Sequence, residues 1–149
     1  MVWPYYRLAE IYLNYAEACN EKPNRNESEA LLYVNKVRER SGLNKLEEAY
    51  PEVIGNKELL RELIRKERMV ELAFENHRYY DIRTWMIAEE EFSGPNYTRN
   101  LLATTYEDSW ERTDKIFPGE MVFEPKHYFF PIHQSQLNEM KNITQNYGW

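Results

Sequence analysis

LLRELIRKERMVELAFENHRYYDIRTW, residues 59–85, is the longest stretch of regular helical periodicity in this 149-residue chain. Its apolar residues recur at three- and four-residue steps and share one side of a helix: Leu60, Leu63, Ile64, Val70 and Phe74. Asn76 follows as a predicted helix end, because asparagine tolerates the left-handed backbone that ends many helices. The pattern predicts one long helix whose apolar side packs against other elements.

The charges of this stretch also repeat at helical spacing. Glutamates recur every four residues with arginines beside them: Glu67, Glu71, Glu75, Arg65 and Arg68. Such neighbours can form forked ion pairs, so we expect these residues to tie adjacent helices together. The alternative is a metal site, but iron sites in helix bundles place Glu and His one turn apart. Glu75 and His77 are two residues apart and diverge on a helix, so we predict no metal here.

The composition of the whole chain limits the classes of function. A net charge of −6 disfavours nucleic-acid binding, which needs a basic face. No apolar run is long enough to cross a membrane. The single cysteine, Cys19, excludes an internal disulfide and is predicted to be a small buried residue. Aromatic residues make up 15% of the chain, a weight that suits a packed core, a ligand-binding surface or both.

Two more helices are predicted upstream, over residues 4–20 and 26–41. The spacing of the first is similar to the first helix of a tetratricopeptide repeat; the matching positions are Tyr5, Leu8, Ala9 and Tyr12. The second carries small and β-branched residues where the second repeat helix has them. One repeat cannot bury its faces alone, so this pair is expected to pack on other helices.

The predicted fold class is mostly α, with tetratricopeptide-like helix pairs, a short β-hairpin and a loop-rich C-terminal region. We expect a single domain over residues 1–149 in three parts: a helix pair over 1–42, a long and a short helix over 56–91, and loops, hairpin and tail over 92–149. The hairpin is predicted from two short apolar runs, residues 121–123 and 127–130, on either side of a proline turn.

Residues 92–117 show no helical or strand period and mix aromatic with polar residues. Loops on a rigid scaffold often carry function. Sugar rings have apolar faces that stack on Trp and Tyr, while Asn, Asp and Arg bind hydroxyl groups. The candidate ligand-binding residues are therefore Tyr97, Arg99, Asn100, Tyr106, Asp108 and Trp110. The alternative is that these rings only cover helix ends. No nucleophile elbow, phosphate loop or metal-ligand spacing is found, so no enzyme and no cofactor is predicted.

The opening stretch resembles a signature of the SusD/RagB family of nutrient-binding outer-membrane lipoproteins, roughly E-R-x-x-E-L-x-x-E-G-x-R-x-x-D-L-x-R-W. The residues that fit, and that we assign to a structural motif, are Glu67, Arg68, Glu71, Glu75, Arg78, Asp81 and Trp85. Asn76 stands where the family usually has glycine, and Thr84 where it usually has arginine. Trp85 is expected to lie in the core.

Two further segments are similar to the same family. YRLAEIYLNYAEACNE, near the start, resembles the pattern R-x-A-E-x-x-L-x-Y-A-E-A. FEPKHYFFPIHQSQLN and the closing NITQNYGW resemble the family's last segment, although His133, Gln136 and Tyr147 replace the usual Pro, Glu and Pro. Three motifs thus match in order along nearly the whole chain. Because family members are longer, the resemblance implies that this chain is their C-terminal part.

The resemblance also implies a function. Family members bind an oligosaccharide or related nutrient at the outward face of the outer membrane and deliver it to a TonB-dependent transporter of the SusC type. A lipid anchor, expected outside this chain, would hold the protein on the membrane. The resemblance implies neither enzymatic activity nor a cofactor. The alternative is a tetratricopeptide-like scaffold that binds proteins and no small molecule.

Overall fold

The computed structural model describes residues 6–95, 98–99, 104–108, 112–113 and 120–149. It divides into two compact units, Met1–Tyr79 and Tyr80–Trp149. The first unit contains α1 (Leu8–Glu21), α2 (Glu27–Arg40), α3 (Leu46–Ala49), a 3₁₀ turn (Pro51–Val53) and α4 (Lys57–Glu71). The mostly α fold is confirmed, and the expectation that residues 1–149 form a single domain stays a prediction.

Asparagine side chains begin two of these helices. The Asn26 side-chain oxygen accepts the N–H of Glu29 at 3.2 Å, and that of Asn56 accepts the N–H of Leu59 at 3.1 Å. Each bond satisfies one of the N–H groups that the first turn of a helix leaves without a partner. Gly42 follows α2 with φ 74°, a left-handed conformation that glycine adopts without strain and that ends the helix.

The core of the first unit lies where α1 packs against α2 and α4. Alanines on the facing sides of α1 and α2, Ala9, Ala16 and Ala30, are buried and let the backbones approach closely. The rest of the core consists of Leu13, Cys19, Leu31, Val34, Val37, Leu46, Val53, Leu60, Leu63 and Ile64. The prediction that Cys19 is a small buried residue is therefore correct.

The C-terminal end of α4 differs from the sequence prediction. Val70 and Phe74, expected on the buried side, are 70% and 99% exposed. The positions that face α1 and α2 at this end are taken by the carboxylates of Glu67 and Glu71, which bind arginines. The helix stops at Glu71, and Phe74 has φ 65°, so the helical period no longer applies there. The burial predicted for Val70 and Phe74 is wrong.

The second unit opens with two short helices in place of the single one predicted over residues 79–91. These are α5 (His77–Thr84), which begins within the first unit, and α6 (Ala88–Phe92). Met86 lies between them with φ 57°, a left-handed conformation that interrupts the helix. Ile82 and Ala88 are buried, and Trp85, expected in the core, is half-buried.

Four two-residue strands follow, and they form two separate antiparallel pairs. The strands are β1 (Gly94–Pro95), β2 (Thr98–Arg99), β3 (Arg112–Thr113) and β4 (Glu120–Met121). Gly94 lies opposite Met121 in the β1–β4 pair, and Thr98 lies opposite Thr113 in the β2–β3 pair. Because β2 and β3 lie between β1 and β4 in sequence, the two pairs are nested.

The hairpin predicted over residues 121–130 is wrong. Its expected second strand is instead a 3₁₀ turn, Pro125–Tyr128. Pro125 is the first residue of this turn, where its fixed φ fits the turn and its missing N–H needs no partner. The Glu124 side chain and backbone exchange hydrogen bonds with His127, and this reciprocal pair closes the turn. Helix α7 (Gln134–Glu139) comes next, close to the predicted position.

The C-terminal tail folds back on the segment before α7. The Gln145 amide pairs with both backbone groups of Ile132, at 2.8 and 2.9 Å, in the manner of a neighbouring strand. The Trp149 indole N–H donates to the carbonyl oxygens of Lys126 and Phe129 at 2.9 and 3.0 Å. Gly148 has φ 84°, and a Cβ there would lie 2.7 Å from the Lys126 Cβ. The position therefore requires glycine.

Candidate functional site

The predicted ligand loop lies within the nested strand pairs of the second unit. Thr98 and Arg99 pair with Thr113 and Arg112, and Gly94 and Pro95 pair with Met121 and Glu120.

The structure places only some of the candidate ligand residues. Tyr106 and Asp108 lie in one exposed turn, where the Asp108 N–H donates to the Thr105 hydroxyl at 3.1 Å. Arg99 lies in β2, opposite Arg112. The remaining candidates lie outside the described residues: Tyr97, Asn100 and Trp110. The grouping of all six residues into one ligand site stays a prediction.

The signature carboxylates of α4 bind arginines from distant parts of the sequence. Arg7, the residue just before α1, donates from Nε to Glu75 at 2.9 Å and from Nη1 to Glu71 at 2.9 Å. Its Nη2 donates to the Glu71 carbonyl oxygen at 2.8 Å. The hydrogen bonds to Glu75, and then those to Glu71, raise the pKa of Arg7. One arginine thus joins the start of α1 to the end of α4.

Helix α2 binds the same row of carboxylates. Arg40 donates to both Glu71 oxygens at 2.7 and 2.6 Å. Arg38 is buried, forms an ion pair with Glu67 and donates to the Asn44 carbonyl oxygen at 2.8 Å. A row of glutamates on α4 is therefore held by arginines from both neighbouring helices.

Other members of the signature join the same contact region. The buried Arg68 bonds to Asn14 of α1. His77 Nε2 lies 3.8 Å from the buried carboxylate of Glu10, also on α1. The first and second sequence motifs therefore meet in space although they lie more than 50 residues apart. Their charged residues connect helices, as the spacing in the sequence indicates.

The contacts of the α4 glutamates can be compared with the metal site that was considered from the sequence. Within the part of the chain that the structure describes, no group of three His, Cys, Asp or Glu residues is arranged to hold a metal ion. The carboxylates of Glu71 and Glu75 already receive hydrogen bonds from Arg7. A cation at this position would have to displace a guanidinium group that is bound at three points.

The remaining members of the structural motif lie on α5 or directly after it. Asp81 is buried, and the Trp85 N–H donates to the Asp81 carbonyl oxygen at 2.9 Å. Arg78 is half-buried on the same helix. The role of these three residues as a family motif stays a prediction.

Two further titratable groups of the first unit, Glu21 and Tyr15, also have shifted pKa values. Arg61, with help from Lys57, lowers the pKa of Glu21 to about 2 by hydrogen bonds and charge. The Tyr15 hydroxyl donates to Glu29 at 3.0 Å, and this bond raises the Tyr15 pKa to about 12. Both groups connect α1 to a neighbouring helix.

A groove beside α2 was not predicted from the sequence. It has a volume of about 440 Å³ and is lined by Ser28, Leu31, Leu32, Asn35, Lys36, Glu39, Lys45, Glu47 and Ile54. Asn35 shapes its floor, because the amide donates to Glu47 and accepts the N–H of Leu46, each at 2.8 Å. The lining residues come from three segments that meet only after folding, so no local pattern could reveal the groove.

The described helices also bear on membrane association. Among residues 6–95 and 120–149, which contain all described helices, none is both long enough and apolar enough to cross a bilayer. The longest of them, α4, has 15 residues and is rich in charge.

This helical scaffold, with its arginine–glutamate contacts between α1, α2 and α4, is that of a known family. The model of the SusD family matches residues 1–149, and the chain belongs to that family. The resemblance found in the sequence is thereby confirmed.

Similar proteins are found in Formosa agariphila and Bacteroides ovatus. "SusD-like protein P2" of Formosa agariphila is 43% identical over 93 residues, which cover 60% of this chain and 18% of that protein. "SusD-like protein" of Bacteroides ovatus is 32% identical over 117 residues, which cover 76% of this chain and 18% of that protein. The chain thus corresponds to less than a fifth of each of these two relatives.

Solved structures support the same family assignment. A SusD-like protein from Bacteroides fragilis, BF3747, has a TM-score of 0.73 and 32% identity, over 95% of this chain and 25% of that one. A protein named BT4246 has a TM-score of 0.81 and 32% identity, over 97% of this chain and 23% of that one. The helical fold described here therefore corresponds to about a quarter of each solved chain.

Proposed function

We propose that this chain belongs to a protein that binds an oligosaccharide or related nutrient at the outer membrane. The observation that carries the proposal is the match of the whole chain, residues 1–149, to the SusD family, whose members bind glycans there. The first unit is a helical scaffold with a buried core, and in the second unit the described turn with Tyr106 and Asp108 is exposed.

The loop over residues 92–117 is the proposed ligand contact within this chain. The exposed ring of Tyr106 offers a face on which a sugar can stack, and the Asp108 carboxylate in the same turn can accept hydrogen bonds from hydroxyl groups. Arg99, in β2, is the third candidate within the described residues. Trp110 is the residue whose chemistry suits stacking best.

The proposal is tested by titrating the purified chain with a panel of neutral and acidic oligosaccharides in a calorimeter. We expect binding to at least one of them and a loss of about tenfold or more in affinity for Trp110→Ala, since one stacked ring contributes about 1–3 kcal/mol in comparable ring-stacking sites. Tyr50→Ala is the matched control, because Tyr50 is an exposed ring on the first unit. Equal affinity of both variants would exclude the loop as the contact.

The delivery step involves a second protein. We propose a TonB-dependent transporter of the SusC type as the partner, with the helix pair α1–α2 serving as scaffold and as part of the surface that faces it. The full protein would reach the outward side of the outer membrane through a lipid anchor outside this chain. Co-purification of the native protein from outer membranes with a large barrel protein would test both points together.

Binding in this proposal makes and breaks no covalent bond. A hydrolase built on this helical fold is a different function to test. It would shorten a bound oligosaccharide over time. Incubation of the chain with each bound glycan, followed by chromatography of the sugars, separates the two. New reducing ends above a heat-treated control would support the hydrolase.

A protein-interaction scaffold without a small ligand is the alternative, and the groove beside α2 favours it. The groove combines Leu31, Leu32 and Ile54 with a rim of lysines and glutamates, a mixture that suits a polypeptide better than a sugar. Leu32→Asp, in the groove, should abolish binding in the scaffold case and leave glycan binding unchanged in the nutrient-binding case. Pull-down and calorimetry on this one variant therefore distinguish the two functions.

A further inference from the structure

Two arginines occupy directly opposite positions where the strands β2 and β3 pair. Arg99 of β2 is the register partner of Arg112 of β3, and the neighbouring positions are taken by Thr98 and Thr113. Successive residues of a strand belong to opposite sides of a strand pair. The two arginines therefore share one side of β2–β3, and the two threonines share the other. We call Arg99 and Arg112 the arginine pair.

The register of the arginine pair is unfavourable unless a negative group joins it. Opposite positions of an antiparallel pair have Cβ atoms about 4.5–5.5 Å apart, and like charges at such positions repel each other. Strands β2 and β3 contain two residues each, so few backbone hydrogen bonds offset this repulsion. Two positive charges in this register therefore favour an anion as a third member.

The register of the strands brings no carboxylate of this chain to the arginine pair. Among the described residues of the four strands, the one carboxylate is that of Glu120 in β4, and its register partner is Pro95 of β1. Glu107 and Asp108 lie between β2 and β3 in sequence, in the exposed turn. A ligand is therefore the source of negative charge that this register leaves open.

An acidic sugar has the chemistry that this region can recognise. The planar guanidinium of arginine stays charged and donates two parallel hydrogen bonds to an oxyanion. Sugars carry such a group as the carboxylate of a uronic acid or as a sulfate ester. They also keep hydroxyl groups, from which Asp108 can accept hydrogen bonds, and an apolar ring face that suits the exposed ring of Tyr106.

We propose that the ligand of this chain is an acidic oligosaccharide, and that Arg99 and Arg112 bind its carboxylate or sulfate group. The inference rests on the proposed function, because it names the class of sugar that the proposed ligand loop binds. It adds Arg112 to the contact residues, as a residue that determines which class of sugar is bound.

Calorimetry with matched ligands gives the first test. Each acidic oligosaccharide is compared with an uncharged form of the same backbone: oligogalacturonate with its methyl ester, and a sulfated galactan oligosaccharide with its desulfated product. We expect one acidic form to bind at least about tenfold more tightly than its uncharged form, and this difference to shrink as salt is added. The acidic form that binds identifies the anionic group as a carboxylate or a sulfate.

Variants of the arginine pair give the second test. Arg99→Gln and Arg112→Gln should each lower the affinity for the acidic form at least about tenfold and change that for the uncharged form by less than about twofold. Arg112→Lys should retain part of the affinity, because the charge remains and the forked geometry is lost. Thr113→Val is the matched control, since Thr113 follows Arg112 in β3 and belongs to the other side of the pair.

The results separate this inference from the proposed function. Equal affinities for the acidic and uncharged forms would overturn the inference and leave the proposed function in place. Unchanged affinity of both glutamine variants for the acidic form would also overturn it, as would an equal loss for Thr113→Val. Binding to none of the sugars, acidic or uncharged, would overturn the proposed function and the inference with it.

Discussion

At the scale of single residues, Arg7 makes side-chain contacts with residues that are far from it in the sequence of the first unit. Its guanidinium bonds at three points to residues 64 and 68 positions away. Glu71 also binds Arg40, whose side chain is 60% exposed against 28% for Arg7. Two arginines on one carboxylate therefore differ mainly in burial and in the number of bonds they make.

Arg7→Ala should lower the free energy of unfolding by about 1–2 kcal/mol, because it removes three hydrogen bonds and leaves Glu75 without this partner. Arg40→Ala should cost less than about 0.5 kcal/mol, as exposed ion pairs generally do. Urea denaturation of the three proteins measures both values. A larger effect for Arg40→Ala than for Arg7→Ala would contradict this ranking.

Glu21 predicts a pH dependence of stability. Its pKa lies at about 2 in the folded chain, below the ordinary 4.5, chiefly because Arg61 donates to it. A carboxyl group with a lowered folded-state pKa stabilises the fold above the unfolded-state pKa. The stabilisation is complete above about pH 5 and is lost as the pH falls from 4.5 towards 2.

The comparison of wild type with Glu21→Gln isolates this effect. We expect the difference in stability between the two proteins to shrink between pH 5 and pH 2, with Glu139→Gln, on an exposed position of α7, as a control that shows no such trend. Thermal unfolding at a series of pH values gives the measurement. A difference that stays constant across this range would show that the ion pair with Arg61 does not form in solution.

Sequence reasoning found the carboxylates of the contact region and missed their partners. The four-residue spacing of Glu67, Glu71 and Glu75 indicated ion pairs, and the adjacent Arg65 and Arg68 were the obvious candidates. The structure supplies Arg7, Arg38 and Arg40, which come from other helices. Spacing within one helix fixes which residues share a face, but the identity of the partner depends on how the helices pack.

At the scale of elements, the asparagine caps set where helices start. Asn56→Ala should cost about 1 kcal/mol, because the N–H of Leu59 loses its acceptor at the start of α4. Asn56→Asp keeps an acceptor and places a negative charge at the helix N-terminus, so it should be neutral or slightly stabilising. Urea denaturation distinguishes the two, and an unchanged stability of Asn56→Ala would mean that the cap contributes nothing.

Element ends were harder to predict than element types. The helix over residues 27–40 was found to within a residue at each end, because Asn26 and Gly42 carry local signals that do not depend on tertiary contacts. The hairpin prediction failed because it followed two short apolar runs, whereas Pro125 begins a 3₁₀ turn that takes up the start of the second run. The break at Met86 carries no local signal at all, since methionine favours helices.

At the scale of the whole molecule, the two units differ in how much apolar surface they bury. The core from Ala9 to Ile64 lies entirely in the first unit. In the second, the buried apolar residues among those described are Ile82 and Ala88. A fragment of residues 1–79 should therefore be helical and unfold cooperatively in urea, whereas residues 80–149 alone should show no sharp transition.

Circular dichroism of the two fragments during urea titration makes this measurement. Cooperative unfolding of residues 80–149 would show that the second unit has a core of its own. Loss of cooperativity in residues 1–79 would show that the first unit needs further chain in order to fold.

The class of protein was predictable from the sequence, whereas the ligand site was not. Three motifs spread over nearly the whole chain carried the family resemblance, and the family match covers residues 1–149. The ligand residues were chosen by their chemistry alone, because aromatic and polar side chains in a loop have no period from which direction can be inferred. Of the candidates, only Arg99 in β2 and the exposed turn with Tyr106 and Asp108 lie among the described residues.

The bonds from Arg7 to Glu71 and Glu75 have a consequence for how such chains diverge. A mutation at either end of the contact leaves a charge without its counterpart, so lineages should change these positions together or retain them together. The sequence of the loop over residues 98–113 is less constrained, because its strands pair through their backbones and accept most side chains. If the loop binds the ligand as proposed, relatives can thus change their ligand while they keep the same scaffold.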